Sequence, residues 1–194
     1  GGSLYYYGKK GNCYSGQNNS TKTCDFNTVG LKNDNTRSSI ETIVWNIGGS
    51  KNYNNVKAEE FYALERGDVV YDNRPTTWIG NIGLMYPSDY GYATKGGLTT
   101  DRSSCLSYAL NEWGSDSVSE CRNNNYLFNN KSSWFLTHNA SFSASILFIS
   151  YLGNQSSTSA FELGIVVQPT LFLKSDISIG VGDGTEANPY QLNI

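Results

Sequence analysis

Between Trp134 and Leu173 the chain alternates two kinds of sequence. Trp134-Phe-Leu-Thr-His138 opens the stretch and Gly164-Ile-Val-Val-Gln-Pro-Thr-Leu-Phe-Leu173 closes it. Both are rich in the aromatic and β-branched residues that pack well on a pleated surface. The segment between them is dense in Ser, Asn and Thr, with single aromatics. Two firm anchors around a permissive insert restrict the fold to a rigid frame carrying a segment that folding itself constrains little. That is the texture of a recognition surface. A catalytic centre would instead require a few chemically committed residues.

One domain is the simplest reading of the frame, with two small domains as the alternative. At 194 residues the chain suffices for a single well-filled core. Gly1-Gly2-Ser3 reads as a cloning scar or linker, any natural export signal or anchor having been cut away, and residues 4–194 read as one domain. Charged residues make up only 16%, so Asn, Ser, Thr and the 14 Tyr must carry much of the solubility. Tyr pairs an apolar ring with a hydroxyl and suits wet binding surfaces as well as cores. A net charge of −3 without any Lys/Arg cluster gives no footprint for nucleic acid. No apolar run approaches the ~18 residues a membrane span needs.

Four cysteines, Cys13, Cys24, Cys105 and Cys121, permit three connectivities. The sequentially nearest pairs, Cys13–Cys24 and Cys105–Cys121, would each close a short loop worth roughly 3 kcal/mol. Two disulfides would place the protein in an oxidising, extracellular setting. Four buried thiols are the alternative. No Cys-x-x-Cys is present and the single His is not spaced with the cysteines for zinc.

Along the chain, Tyr5-Tyr6-Tyr7 reads as a strand and Cys13 to Cys24 as a turn. Asn33-Asp34-Asn35 offers a helix cap, and Ile40, Ile43, Val44 and Ile47 follow at i, i+3, i+4, i+7, predicting an amphipathic helix stopped by Gly48-Gly49. A short helix is expected around Lys57 to Leu64, then a loop after Arg66-Gly67-Asp68, a tripeptide that also occurs in cell adhesion. Ile82 to Tyr86 reads as a strand ended by Pro87, and Ser88 to Gly97 as a loop. Thr100-Asp101 caps a third helix carrying Leu106, Ala109, Leu110 and Trp113. Trp134 to Thr137, Ser145 to Tyr151, Leu163 to Val167 and Thr170 to Leu173 read as strands. A Gly/Asp loop and Pro189-Tyr-Gln-Leu192 close the chain. Helices early and short strands late predict an α+β domain with an antiparallel sheet.

Tyr62-x-x-Glu65-Arg66-Gly67, Arg74-Pro75-Thr-Thr-Trp78, Gly83-Leu-Met-Tyr-Pro-Ser-Asp-Tyr-Gly-Tyr92 and Gly182-Asp-Gly-Thr-Glu-x-Asn-Pro-Tyr-Gln-Leu192 resemble exported pilin-like proteins of gut Firmicutes. In that family a type IV pilin-like N-terminal helix, absent here, precedes a C-terminal C-type-lectin-like domain. In several members the stretch after Trp-x-Leu is rewritten by a diversity-generating retroelement, which favours Asn, Ser, Thr, Tyr, Phe, Ile, Ala, His and Gly. Residues 138–163 match that texture, within a variable segment of about 134–167. The resemblance covers the chain from about residue 5 onward. Two positions depart from it. Thr137-His138 stands where the family has Thr-Pro or Ser-Pro, and Gln168 replaces an Arg that would brace the sheet.

The resemblance implies a C-type-lectin-like fold and a non-enzymatic, surface-displayed ligand-binding protein, adhesin-like and diversified. Its location would be extracellular, at the cell surface or pilus-associated. Its partner would be a protein or glycan on another cell or host surface, with pilus subunits as a second class. The expected ligand surface comprises His138, Asn139, Ser141, Phe142, Ser143, Ser145, Leu147, Tyr151, Asn154, Ser156, Ser157, Thr158, Ser159 and Phe161. Phe142, Tyr151 and Phe161 would anchor it, with the Ser, Thr and Asn side chains giving adaptable hydrogen bonds. Leu147 also alternates with Ile146 and Phe148 so as to suit a core. A structural pilin or surface-assembly subunit is one alternative. A formylglycine-generating-type enzyme is another, for which Cys105 and Cys121 are the only conceivable thiol pair. A lone His and no Gly-x-Ser-x-Gly argue against catalysis. No cofactor is expected, and calcium at Asp176, Asp183 and Glu186 is the lesser alternative, because Asp183-Gly184 suits a turn.

Overall fold

The computed structural model describes residues 34–160, 162, 164–185 and 187–193. The strand expected at Tyr5–Tyr7 and the Cys13–Cys24 pair lie outside these residues.

The helix expected over Ile40 to Ile47 does not form. Helix α1 (Asp34–Ser38) is short. It ends where the Ser38 and Ser39 hydroxyls both donate to the Asn35 carbonyl, at 2.8 and 2.7 Å, a local bond that competes with helix propagation. The chain then extends. Ile40 bridges Leu173, and strand β1 (Ile43–Asn46) pairs antiparallel with β2 (Thr77–Gly80), setting Trp45 opposite Trp78. The helical spacing was satisfied by four β-branched residues, which favour strands, and it passed over Trp45. That indole is 1% exposed, stacks edge-on against Phe172 at 5.4 Å and donates Nε1–H to the Gly80 carbonyl at 2.9 Å.

Helix α2 (Ala58–Glu65) forms close to where its sequence predicts. Strand β3 (Ile82–Leu84) pairs antiparallel with β7 (Pro169–Leu171). The predicted loop beyond it is instead helix α3 (Pro87–Tyr92). Pro87 occupies the first turn, where its missing N–H costs nothing. Asp89 accepts the Tyr86 N–H at 2.9 Å. Glu65 reaches across from α2 to accept the Ser88 N–H at 2.9 Å and the Ser88 hydroxyl at 2.5 Å. Two carboxylates therefore satisfy the helix start, and one is supplied from outside the segment.

Helix α4 (Arg102–Ser107) has the expected cap, the Asp101 carboxylate accepting the Ser104 N–H at 2.7 Å. It does not run on to Trp113. Tyr108 is extended, with ψ 147°, and a 3-10 turn restarts at Leu110–Glu112. Glu112 accepts the Ala109 N–H at 2.9 Å, and the Leu110 N–H is drawn to the Val56 carbonyl at 3.0 Å. A second 3-10 turn (Asp116–Val118) leads into helix α5 (Ser119–Asn123). There Cys121 is joined to Cys105, and both are fully buried. The neighbouring Glu120 carboxylate collects the N–H groups of Leu98, Thr99 and Thr100 and the Thr99 hydroxyl, at 2.6–3.2 Å. These bonds hold its pKa below the usual carboxylate range, the Thr99 hydroxyl foremost.

Strands β4 (Ser133–His138), β5 (Ser145–Ile149) and β6 (Gln155–Ser159) form a three-stranded antiparallel sheet. Strand β6, Gln-Ser-Ser-Thr-Ser, has only Thr158 to announce a strand, yet all five of its positions pair with β5. Of the strand expected over Leu163 to Val167, Leu163 is outside the described residues. Val166 makes only a bridge, accepting the Trp134 N–H and donating to the Ser132 carbonyl. A terminal hairpin joins β8 (Ser178–Ile179) to β9 (Leu192–Asn193). The described chain is thus α+β, short helices on short antiparallel sheets, with one disulfide. Tyr90, Trp113, Phe135, Leu147 and Ile149 lie in its core, Tyr90 stacked on Trp113 at 5.4 Å and Phe135 at 6.2 Å.

Candidate functional site

Directly paired residues in an antiparallel sheet share a face. The register puts Ser133, Phe135 and Thr137 with Leu147, Ile149 and Gln155 on one face, and all six are buried. The other face carries Trp134, Leu136 and His138, Ile146 and Phe148, then Ser156 and Thr158. Trp134 is buried against Phe148, at 6.1 Å and edge-on, and the others are half-buried.

This arrangement divides the expected ligand residues. Leu147 is 0% exposed and packs in the core, because alternation sets it beside Phe135 and Ile149. It cannot touch a ligand. Asn139, 2% exposed, is likewise withdrawn: its Oδ1 accepts the Ser141 N–H at 2.9 Å and holds the turn between β4 and β5. Ser141, Phe142 and Ser143 are exposed in that turn, Phe142 at 64%. His138, Ser145, Thr158 and Ser159 lie at the same end of the sheet, half-buried except for exposed Ser159. Tyr151, 64% exposed, and half-buried Asn154 occupy the turn at the opposite end of β5. The five residues of β5 separate the two ends by about 15 Å, so one small ligand cannot bridge them. Ser156 and Ser157 lie between, half-buried. Phe161 is outside the described residues.

The Phe142 end has neighbours that sequence reasoning did not include. Arg74 donates Nη2–H to the Ser143 carbonyl at 2.6 Å, and Ser141 donates its hydroxyl to the Lys51 carbonyl at 3.2 Å. The Tyr71 N–H donates to His138 Nε2 at 3.3 Å, and the Ser50 N–H to the His138 carbonyl at 3.2 Å. Gly49 lies so close to the imidazole that an added Cβ would sit 2.8 Å from Cε1. Burial, and then the Arg74 charge, lower the His138 pKa and favour neutral imidazole. The exposed turn is thus fastened from two other segments, residues 49–51 and 71–74, while its side chains remain outside. Contacts spanning 67 to 90 residues of sequence leave no local signal.

The remaining chemistry is structural. Burial, opposed by both Ser88 bonds, pushes the Glu65 carboxyl up to about 7. A perturbed carboxyl can mark a catalytic site, but Glu65 is 0% exposed and already occupied by Ser88 and Arg66. The Arg66 guanidinium lies 3.5 Å from the centre of the Tyr62 ring and donates to the Tyr62 carbonyl, so the Arg-Gly-Asp tripeptide does not present a free arginine. Asp183 accepts the Thr185 N–H at 2.9 Å in a turn. Among the described residues no group of three or more His, Cys, Asp or Glu side chains is placed to hold a metal ion. No helix among them is long and apolar enough to cross a membrane. Comparison with protein-family models, with curated proteins and with solved structures finds no match to this chain.

Proposed function

We propose that this chain is the ligand-binding domain of a surface-displayed variable protein with a C-type-lectin-like fold, and that it binds by static complementarity rather than catalysis. The observation that carries this reading is the turn between β4 and β5. Its backbone is held by Arg74, Ser50 and Asn139 and its Ser141 hydroxyl by the Lys51 carbonyl, while the Phe142 side chain stays exposed between two exposed serines. An exposed aromatic on a fastened loop loses little conformational entropy on binding. Substitution there leaves the core beneath untouched.

The partner is a protein or glycan on another cell or host surface, and the contact centres on Ser141, Phe142 and Ser143 with Ser159, Thr158 and the His138 rim. Two measurements test this. Sequencing the gene from sibling isolates should find variation concentrated in codons 138–163, sparing Leu147 and the buried frame. A display library randomised at Ser141, Phe142, Ser143 and Thr158 should yield mostly folded members with differing ligand preferences. Sibling genes varying evenly along their length would favour a structural surface subunit, and a library that is mostly unfolded would refute the reading outright.

A further inference from the structure

Two cationic residues bracket the turn between β4 and β5. Arg74 donates to the Ser143 carbonyl, and the Lys51 carbonyl accepts the Ser141 hydroxyl, so each meets one of the two serines that flank Phe142. Both Arg74 and Lys51 are exposed. Among the described residues neither lies within ion-pair distance of a carboxylate, not even that of Asp72, two residues before Arg74. On the strength of the turn's role as a binding surface, we infer that it selects a protein segment in which a carboxylate neighbours an apolar side chain. Arg74 receives the carboxylate, Phe142 the apolar group, and Lys51 adds positive potential.

Arg74 is held in place by its surroundings. Residues 71–74 form a tight turn closed by the Arg74 N–H on the Tyr71 carbonyl at 3.1 Å. Asp72 and Asn73 both take left-handed backbone there, with φ 39° and 58°, which Asp and Asn tolerate better than most residues. The Tyr71 N–H is fixed on His138, and the Tyr71 ring centre lies 5.5 Å from the guanidinium carbon. A guanidinium has five N–H donors. The Ser143 carbonyl takes one at 2.6 Å, and the others have no partner among the described residues. A planar fork fastened at one corner and open at the rest fits a carboxylate.

Charge decides the kind of anion. The chain carries −3 overall, so a polyanion would meet net repulsion, and two cations are few for a phosphate backbone. A single carboxylate beside an apolar group finds its counter-charge in Arg74 and its contact area in Phe142. Such complementarity gives selectivity more than affinity.

His138 reports on the same place. Burial, and then the Arg74 charge, hold its pKa down. A carboxylate seated on Arg74 offsets that charge and moves the imidazole pKa back up.

The test is titration of the full chain with the capped peptide acetyl-Asp-Phe-Glu-amide, followed by amide and Arg Nε–H chemical shifts. The resonances of Ser141, Phe142, Ser143 and Arg74 should move, with a Kd of roughly 1–10 mM, and the His138 pKa should rise. Acetyl-Asn-Phe-Gln-amide should bind about fivefold more weakly and leave that pKa in place. Arg74→Gln keeps a donor for the Ser143 carbonyl and loses the charge, so it should erase the preference between the two peptides. Arg74→Lys should retain part of it. Equal binding of the two peptides, or a preference that survives Arg74→Gln, would overturn the assignment of a carboxylate while leaving the turn as a binding surface. An equal response to inorganic phosphate would make this a small-anion site and overturn the protein segment. If neither peptide moves the resonances of the turn, the inference is wrong, and the variation among sibling genes still decides the role of the turn itself.

Discussion

Replacing Glu65 by Gln should make the protein less sensitive to rising pH, and the size of the effect follows from where the carboxyl lies. Glu65 is fully buried, and its pKa rises from 4.5 to about 7 chiefly through burial. Between those values the folded chain binds more protons than the unfolded chain, so stability falls as pH rises through this window. The displacement corresponds to about 3 kcal/mol lost between about pH 4 and about pH 8. Glutamine carries no charge. It can still accept the Ser88 N–H, and its amide can donate to a Ser88 hydroxyl turned to accept. It gives up the contact from Arg66, 3.2 Å away and partly exposed, which is a small loss for a screened pair. Urea unfolding of both proteins at about pH 4 and about pH 8 isolates the effect, because every other titrating group cancels in the comparison. Relative to the parent, E65Q should gain about 3 kcal/mol on going from the acidic to the alkaline condition. A constant difference at the two pH values, or one that grows in favour of the parent, would show that Glu65 is held as a stabilised anion and would refute the burial argument.

Other expectations separate frame from surface. Leu147→Ala should cost about 2–5 kcal/mol by opening a core cavity, while Phe142→Ala should shift stability by less than about 0.5 kcal/mol; equal losses in thermal unfolding would contradict the division between the two faces. Replacing Cys105 and Cys121 together by Ser should cost about 3 kcal/mol, measured by urea midpoint, through the loop of sequence separation 16 that their bond closes. His138 titrates in the sense opposite to Glu65. Its folded pKa lies below 6.5, so the unfolded chain binds more protons in between and stability declines as pH falls below about 6.5, levelling once the folded pKa is passed. The parent minus His138→Gln stability difference, followed by urea unfolding from about pH 7 to about pH 5, should fall; a flat or rising difference would mean that the imidazole is not held neutral.

Two of the helices, α2 and the start of α4, were legible in the sequence because their signals are local. Asp101 caps α4 as a residue of its type should, and α2 lies close to its expected span. The α+β class followed from the order of elements. The failures share a cause. Ile40, Ile43, Val44 and Ile47 satisfy helical spacing, yet the pairing of β1 with β2 and the burial of Trp45 decide for a strand. Helix α3 depends on Glu65, a side chain 23 residues away from Ser88. Strand β6 is made by its partner β5 rather than by its own serines. At the candidate site the exposed turn was readable as a polar insert with one aromatic. Leu147 was ambiguous on pattern alone, since a run of four apolar residues gives no preferred face. Tyr71 and Arg74 reach the turn only through tertiary contact.

The carboxylate of Glu120 stands directly before Cys121, and the loop it grips runs straight into Asp101, the cap of the helix that carries Cys105. With that loop closed on the carboxylate, Cys105 and Cys121 are held at bonding separation, Cα to Cα 5.5 Å, which raises the effective concentration of each thiol toward the other. Weakening the grip lowers that effective concentration, so reoxidation of the reduced, unfolded chain should form this bond more slowly.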